Sequence, residues 1–238
     1  MNKIINIILN SNGYQETDIN LHQELAELNL FKPRVDNHRQ EYFLVVKLHE
    51  QSNEAAKQFL EHHTQDWFDQ IIISGFVGQE FEKNCTLILC HKEDQVNRTT
   101  ILMIEEDQYN FKKNVITYTE DELIDLQGYI DRNQLSSLNE EVINSVINEN
   151  SGMSFIQFKN NNKEQKDYYS LLLKSILKLP FISYLPQEQQ LANLIDDIEQ
   201  SFSPSQLIIY KNLTENSELW EEDNIEEKIE GIWGRGRD

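Results

Sequence analysis

Four short apolar runs organise the first half of the chain, at residues 41–48, 84–90, 100–104 and 114–119. Each is of strand length and rich in β-branched or aromatic residues, a composition that fits a pleated, half-buried surface. The first run is apolar on both faces. Tyr42, Leu44, Val46 and Leu48 alternate with Phe43 and Val45, which predicts a central strand covered on both sides. After it, Ser52 is a good N-cap and Glu54 favours a first turn. Ala56, Phe59, Leu60, His63, Trp67 and Ile71 then recur at helical spacing. They predict one long amphipathic helix packed on the sheet, ended by residues 71–73 and a short strand over 75–78. The links 92–99 and 105–113 are short and polar, and suit antiparallel hairpins better than crossovers.

Upstream, residues 3–12 predict a helix with Ile4, Ile5, Ile8 and Leu9 on one face and Gly13 as its stop. Asn20, with Gln23 three residues on, predicts the cap of a second helix carrying Leu21, Leu25 and Leu28 and ending before Lys32-Pro33. Downstream of Glu120 the period changes from two to 3.6. Ser137 to Glu140 has the form of a capping box before Val142, Ile143, Val146 and Ile147. Residues 148–153 read as a break, 155–158 as a strand and 159–163 as a loop. Tyr168, Tyr169, Leu172, Leu173, Ile176 and Leu177 mark a helix stopped at Pro180, and Leu191, Leu194, Ile195 and Ile198 mark another, ended before Ser203-Pro204. The fold class is therefore α+β. An N-terminal mixed or mainly antiparallel sheet with packed helices, over 1–130, precedes a mainly helical part, over 131–214. The segment 215–238 is acidic and amphipathic.

Charge narrows the partners. The 238 residues carry a net charge of -20, which repels free nucleic acid and anionic membranes. The imbalance runs the whole length, with 11 basic and 19 acidic groups over residues 1–120 and 10 and 22 over 121–238. No basic cluster is longer than Lys112-Lys113. Direct strong nucleic-acid binding and membrane insertion are not expected. The start, Met1 to Leu9, resembles a signal peptide, but Asn6 interrupts its apolar run and Asn10, Ser11 and Asn12 stand where a cleavage site needs small residues. The two cysteines, Cys85 and Cys90, lie five apart on one predicted strand. They point to opposite faces, so buried thiols in a reducing cytoplasm are the expectation.

The chain offers little chemistry. Gly75 and Gly78 have no Lys-Ser/Thr after them, as a phosphate-cradling loop needs. A Mg²⁺-dependent nuclease would need two or three carboxylates and a lysine. Asp36, Glu41 and Lys47 lie near or on the first strand, but Glu41 and Lys47 are six apart, not spaced as the Glu-x-Lys of restriction-type nucleases, and the bland reading is solvated strand ends. His62 and His63 are adjacent and diverge on a helix, with His63 facing the core and His62 solvated. Cys90-His91 lacks a partner pair for zinc, and a mid-strand thiol is usually inert. No catalytic, metal or cofactor residue is assigned. The acidic tail is different. Trp220, Ile225, Ile229, Ile232 and Trp233, the last four at i, i+4, i+7 and i+8, form a stripe suited to docking in a partner's groove, or to packing on the chain's own helices.

A family resemblance adds a function. Residues 21–28, Phe31 to Arg34, Arg39 to Leu48, and Phe59-Leu60 to Trp67-Phe68 followed by the Ile-rich turn and the strand at 84–90 resemble the middle component of ABC-three-component systems. That component is the small accessory subunit of Lamassu-type defence complexes. The resemblance covers residues 15–200 in layout, without a diagnostic motif. It implies a non-catalytic accessory subunit of a bacterial anti-phage or anti-plasmid complex. Such a subunit bridges an SMC-like ABC ATPase, which carries the nucleotide, and an effector, often a nuclease. No cofactor and a cytoplasmic location follow. A divergent Mg²⁺-dependent nuclease and an acidic DNA-mimic inhibitor or immunity protein are the alternatives.

Overall fold

In the computed structural model, which describes residues 1–19, 21, 24–35, 38–161, 164–184, 199 and 201–215, the chain opens with helix α1, Asn2–Ser11. Its buried face is Ile4, Ile5, Ile8 and Leu9, and Gly13 beyond it takes φ 89, a left-handed turn that glycine adopts without a Cβ penalty. Strands β1 (Tyr14–Thr17), β2 (Ala26–Pro33) and β3 (Tyr42–Leu48) follow. The helix expected from Leu21, Leu25 and Leu28 is not formed. Residues 26–33 are extended because Ala26 to Phe31 pair antiparallel with Leu48 to Phe43, and that pairing overrides the helical spacing. Asn20 and Gln23, its expected cap, lie outside the described residues.

Ser52 caps α2 (Asn53–His62), its side chain accepting from the Ala55 N–H. The expected single long helix is two, because His63 closes α2 and opens α3 (Thr64–Ile73) at φ -115. Residues 75–78 are turn, with Gly75 at φ 71, instead of the short strand. After the single turn α4 (Phe81–Asn84) comes β4 (Cys85–Lys92). The run 100–104 is not a strand but lies within helix α5, Arg98–Glu106. Asn97 caps it by accepting from the Thr100 N–H at 2.8 Å, and Thr100 and Ile104, four apart, face inward. Strand β5 is Lys112–Tyr118.

These helices decide the sheet. Its order is β1-β2-β3-β4-β5, with β2 antiparallel to both β1 and β3, and β3, β4 and β5 parallel. Parallel neighbours need crossovers, supplied by α2 and α3 and then by α5. The sheet is mixed, and the hairpins expected among the later strands are absent. Tyr42, Leu44, Val46 and Leu48 of β3 pack with Phe59, Trp67, Ile71 and Ile104 on the crossover face. Phe43 and Val45 pack on the other face with Ile5 and Ile8 of α1. The two cysteines divide in the same way, Cys85 to the crossover face and Cys90 to the α1 face.

The remaining helices cover the α1 face. They are α6 (Glu120–Arg132), α7 (Glu140–Ile147), α8 (Met153–Asn161) and α9 (Tyr168–Ile176). Thr119 and Glu122 form a reciprocal capping box at α6. The cap of α7 is Asn139, accepting from the Val142 N–H, and not Ser137. Leu138 is tied to the end of α1 by the Ser11 Oγ and the Asn12 carboxamide, which leaves the helix to start two residues later. Residues 155–158 are part of α8 instead of a strand, since a short apolar run fits either element and the helix continues through Lys159 to Asn161. Leu126, Ile143, Tyr169, Leu172 and Ile176 share one core with Phe43, Ile88 and Ile116 of the sheet. Met1–Leu185 is one compact unit. Pro186–Asp238 is a second, within which α10 spans Pro204–Glu215. The helix expected from Leu191 to Ile198 lies outside the described residues.

Candidate interaction surface

The nuclease reading needs its residues to converge. Glu41 precedes β3 and Lys47 sits near its other end, paired with Glu27 of β2 at 3.9 Å. The position two before Lys47 is Val45, fully buried in the core, where a Glu-x-Lys site needs a carboxylate. Asp36 lies outside the described residues. Burial pushes the Cys90 thiol up to about 12 and Cys85 well above its ordinary value, so neither is a ready nucleophile. His62 is exposed, His63 packs beside Trp67 with ring centroids 6.5 Å apart, and His91 is buried. Among the described residues, no group of three or more His, Cys, Asp or Glu is placed to hold a metal ion, and no helix is long and apolar enough to cross a membrane.

The charged residues that do converge hold the C-terminal helices to the sheet. Lys174 of α9 reaches Glu122 of α6 at 2.7 Å and Glu93, just beyond β4, at 3.0 Å. Lys166 also donates to Glu93, and the Ser170 hydroxyl to Glu122. Burial opposes the charge of Glu93, but the hydrogen bonds from Lys166 and Lys174 outweigh it and hold the carboxyl below the usual range. Burial likewise opposes the charge of Lys174, and Glu122 and Glu93 outweigh it and raise its value. A depressed native carboxylate stabilises the fold above its unfolded pKa, and that contribution is lost as pH falls through the native value. A raised native lysine does the reverse, losing its contribution as pH rises through the native value. Stability is expected to decline as pH drops below about 4.3, the unperturbed Glu value, and Glu93→Gln is expected to flatten that decline in urea titrations repeated across pH.

A second polar cluster sets the turn before α8. The hydroxyls of Tyr129 and Tyr168 both donate to the Glu149 carboxylate at 2.6 Å, and their rings stack at 4.2 Å between centroids. Burial and then Glu149 push Tyr129 up to about 12. Asn150 and Ser151 next take left-handed conformations, φ 54 and 58, which non-glycine residues seldom adopt. The Asn150 carboxamide donates to the Ser154 hydroxyl at 3.0 Å. The chain is thereby turned into α8, none of whose residues is buried.

That helix presents an apolar surface to solvent. Met153, Phe155 and Ile156 are 55%, 41% and 47% exposed, and Tyr184, stacked near Phe155 at 6.5 Å, is 55% exposed. Phe158 alone of the helix's large apolar residues packs onto the core. Adjacent exposed apolar side chains with an aromatic pair have the composition of protein contacts more than of idle surface. Sequence reading missed them because 155–158 looked like a strand. The residues it placed in contact with partners, Trp220, Ile225, Ile229, Ile232 and Trp233, all lie outside the described residues.

Residues 41–142 match the model of the ABC-three component (ABC-3C) system Middle Component 1 family. The matched stretch runs from the start of β3 into α7, and so takes in the parallel strands, both crossovers, and Glu93 and Glu122 but not their α9 partners. Comparison with curated proteins and with solved structures gives no match.

Proposed function

We propose, from that match to a middle component of ABC-3C defence systems, that this chain is a non-catalytic, cytoplasmic accessory subunit that bridges an SMC-like ABC ATPase and an effector nuclease. The observation that carries the reading is the match over residues 41–142. The arrangement of the chain supports it. Its polar clusters hold helices in place, and its unusual surface is apolar, on α8. The strong negative charge suits a subunit that stays off DNA while its partners bind it. The nuclease alternative loses ground on one particular, the buried Val45 where a carboxylate is required. The test is affinity purification of the tagged chain from its native host with quantitative mass spectrometry. The expected outcome is a large coiled-coil ATPase and one further protein at fixed ratio to the chain, retained in roughly 0.5 M salt, which screens exposed charge pairs. A single basic partner released by that salt would instead identify a DNA-mimic inhibitor.

A further inference from the structure

The two edges of the sheet are treated differently. At the β5 edge the Val115 N–H, which does not reach β4, donates to the Glu105 carboxylate at 2.8 Å. Lys178 holds Glu105 at 2.7 Å, and Asn114 donates to the Lys178 carbonyl. That edge is closed to further strands. At the other edge β1 pairs only with Leu30 to Pro33. Ile19 and Leu21 turn away into the crossover-face core. Among the described residues no strand pairs with the outer side of Ala26 to Asn29.

A cavity of about 530 Å³ lies there, lined by Ala26, Glu27, Leu28 and Asn29 together with Asn2, Lys3 and Asn6 of α1 and by His49. Side chains alternate across a sheet, so four consecutive strand residues line one cavity only where it runs along the strand's edge. The carboxamide oxygens of Asn2 and Asn6 are buried on the α1 side of this groove without a hydrogen-bond partner, and Asn2 is only 5% exposed. Buried acceptors of this kind are normally satisfied. They await N–H donors; on the strand edge beside them the Glu27 carbonyl accepts from the Asn2 amide at 3.5 Å, a long contact that an incoming strand would displace. Lys3 is exposed and makes no ion pair among the described residues.

We infer that the groove between α1 and residues 26–29 of β2 receives an extended segment of a partner protein, which adds to the sheet as a strand antiparallel to β2 in line with β1. Backbone hydrogen bonds along about 13 Å of edge hold it. Its N–H groups satisfy Asn2 and Asn6, and an acidic or polar side chain lies beside Lys3. A nucleic acid would offer phosphates, acceptors like the two amide oxygens, and does not fit. The inference rests on the accessory-subunit reading and gives it a docking mode.

The test compares hydrogen exchange of the chain alone with that of the assembly purified from its host through the tagged chain. Those amides of residues 26–29 that point away from β3 are expected to exchange at least about tenfold more slowly in the assembly, with those of β5 unchanged. A photo-crosslinker replacing Lys3 is expected to join the chain to one short partner segment. An intact assembly with unchanged exchange at 26–29 overturns the groove but leaves the accessory role standing. Edge amides already protected in the isolated chain, or crosslinks only within the chain, also overturn it. Failure to recover any assembly sinks both readings together.

Discussion

Glu122→Ala is expected to lower the free energy of unfolding by about 3–5 kcal/mol, the range for removing one partner of a buried charge pair. Glu122 is fully buried and serves three groups at once. Its carboxylate accepts from the Thr119 N–H at the start of α6, from Ser170 and from Lys174 of α9. Alanine removes the carboxylate half of the capping box, though the residue-122 N–H still donates to the Thr119 hydroxyl, and leaves the Lys174 ammonium, only 20% exposed, with Glu93 alone. Glu122→Gln keeps an acceptor for the Thr119 N–H but not the charge, and should lose less. Urea denaturation of the three proteins measures the order. Equal stability of the alanine variant and the parent would mean that the network is not what joins α9 to the sheet.

Phe43→Ala is expected to cost about 3–5 kcal/mol, through lost apolar burial and the cavity left behind. The ring is fully buried, with Tyr14 edge-on at 5.0 Å and Phe181 at 5.4 Å. It lies where the sheet, α1 and the segment after α9 meet in one core, so neighbours held from several sides cannot collapse into the gap. The loss should appear as a lower urea midpoint with an unchanged slope. A cost under 1 kcal/mol would show that this core relaxes far more than its packing implies.

The most legible part of the fold was β3. Its two apolar faces foretold two cores, and Phe43 and Val45 divide from Tyr42, Leu44 and Val46 as their alternation requires. Helix α1, the Ser52 cap and the break at 148–153 were also legible, since each rests on local chemistry. What failed was the choice between strand and helix in short apolar runs. Residues 100–104 and 155–158 carry β-branched or aromatic residues yet lie in helices, because a cap in one case and a left-handed turn in the other start a helix there. The helical assignment of α5 converts expected hairpins into parallel pairing, so one local error altered the sheet's topology. Strand β1 has a single large apolar residue, Tyr14, and an edge strand without alternation gives little signal. For the interaction surface, nothing in the order of residues marks Met153, Phe155 and Ile156 as exposed. Their exposure follows from the turn that Glu149, Asn150 and Ser151 impose.

On the proposed function this chain joins two other proteins, and purification through a tag on the ATPase subunit reads that link. With the chain present, the effector should co-purify at fixed ratio. Without the chain, the ATPase should be recovered with the effector gone. Co-purification of ATPase and effector in the absence of this chain would contradict the account.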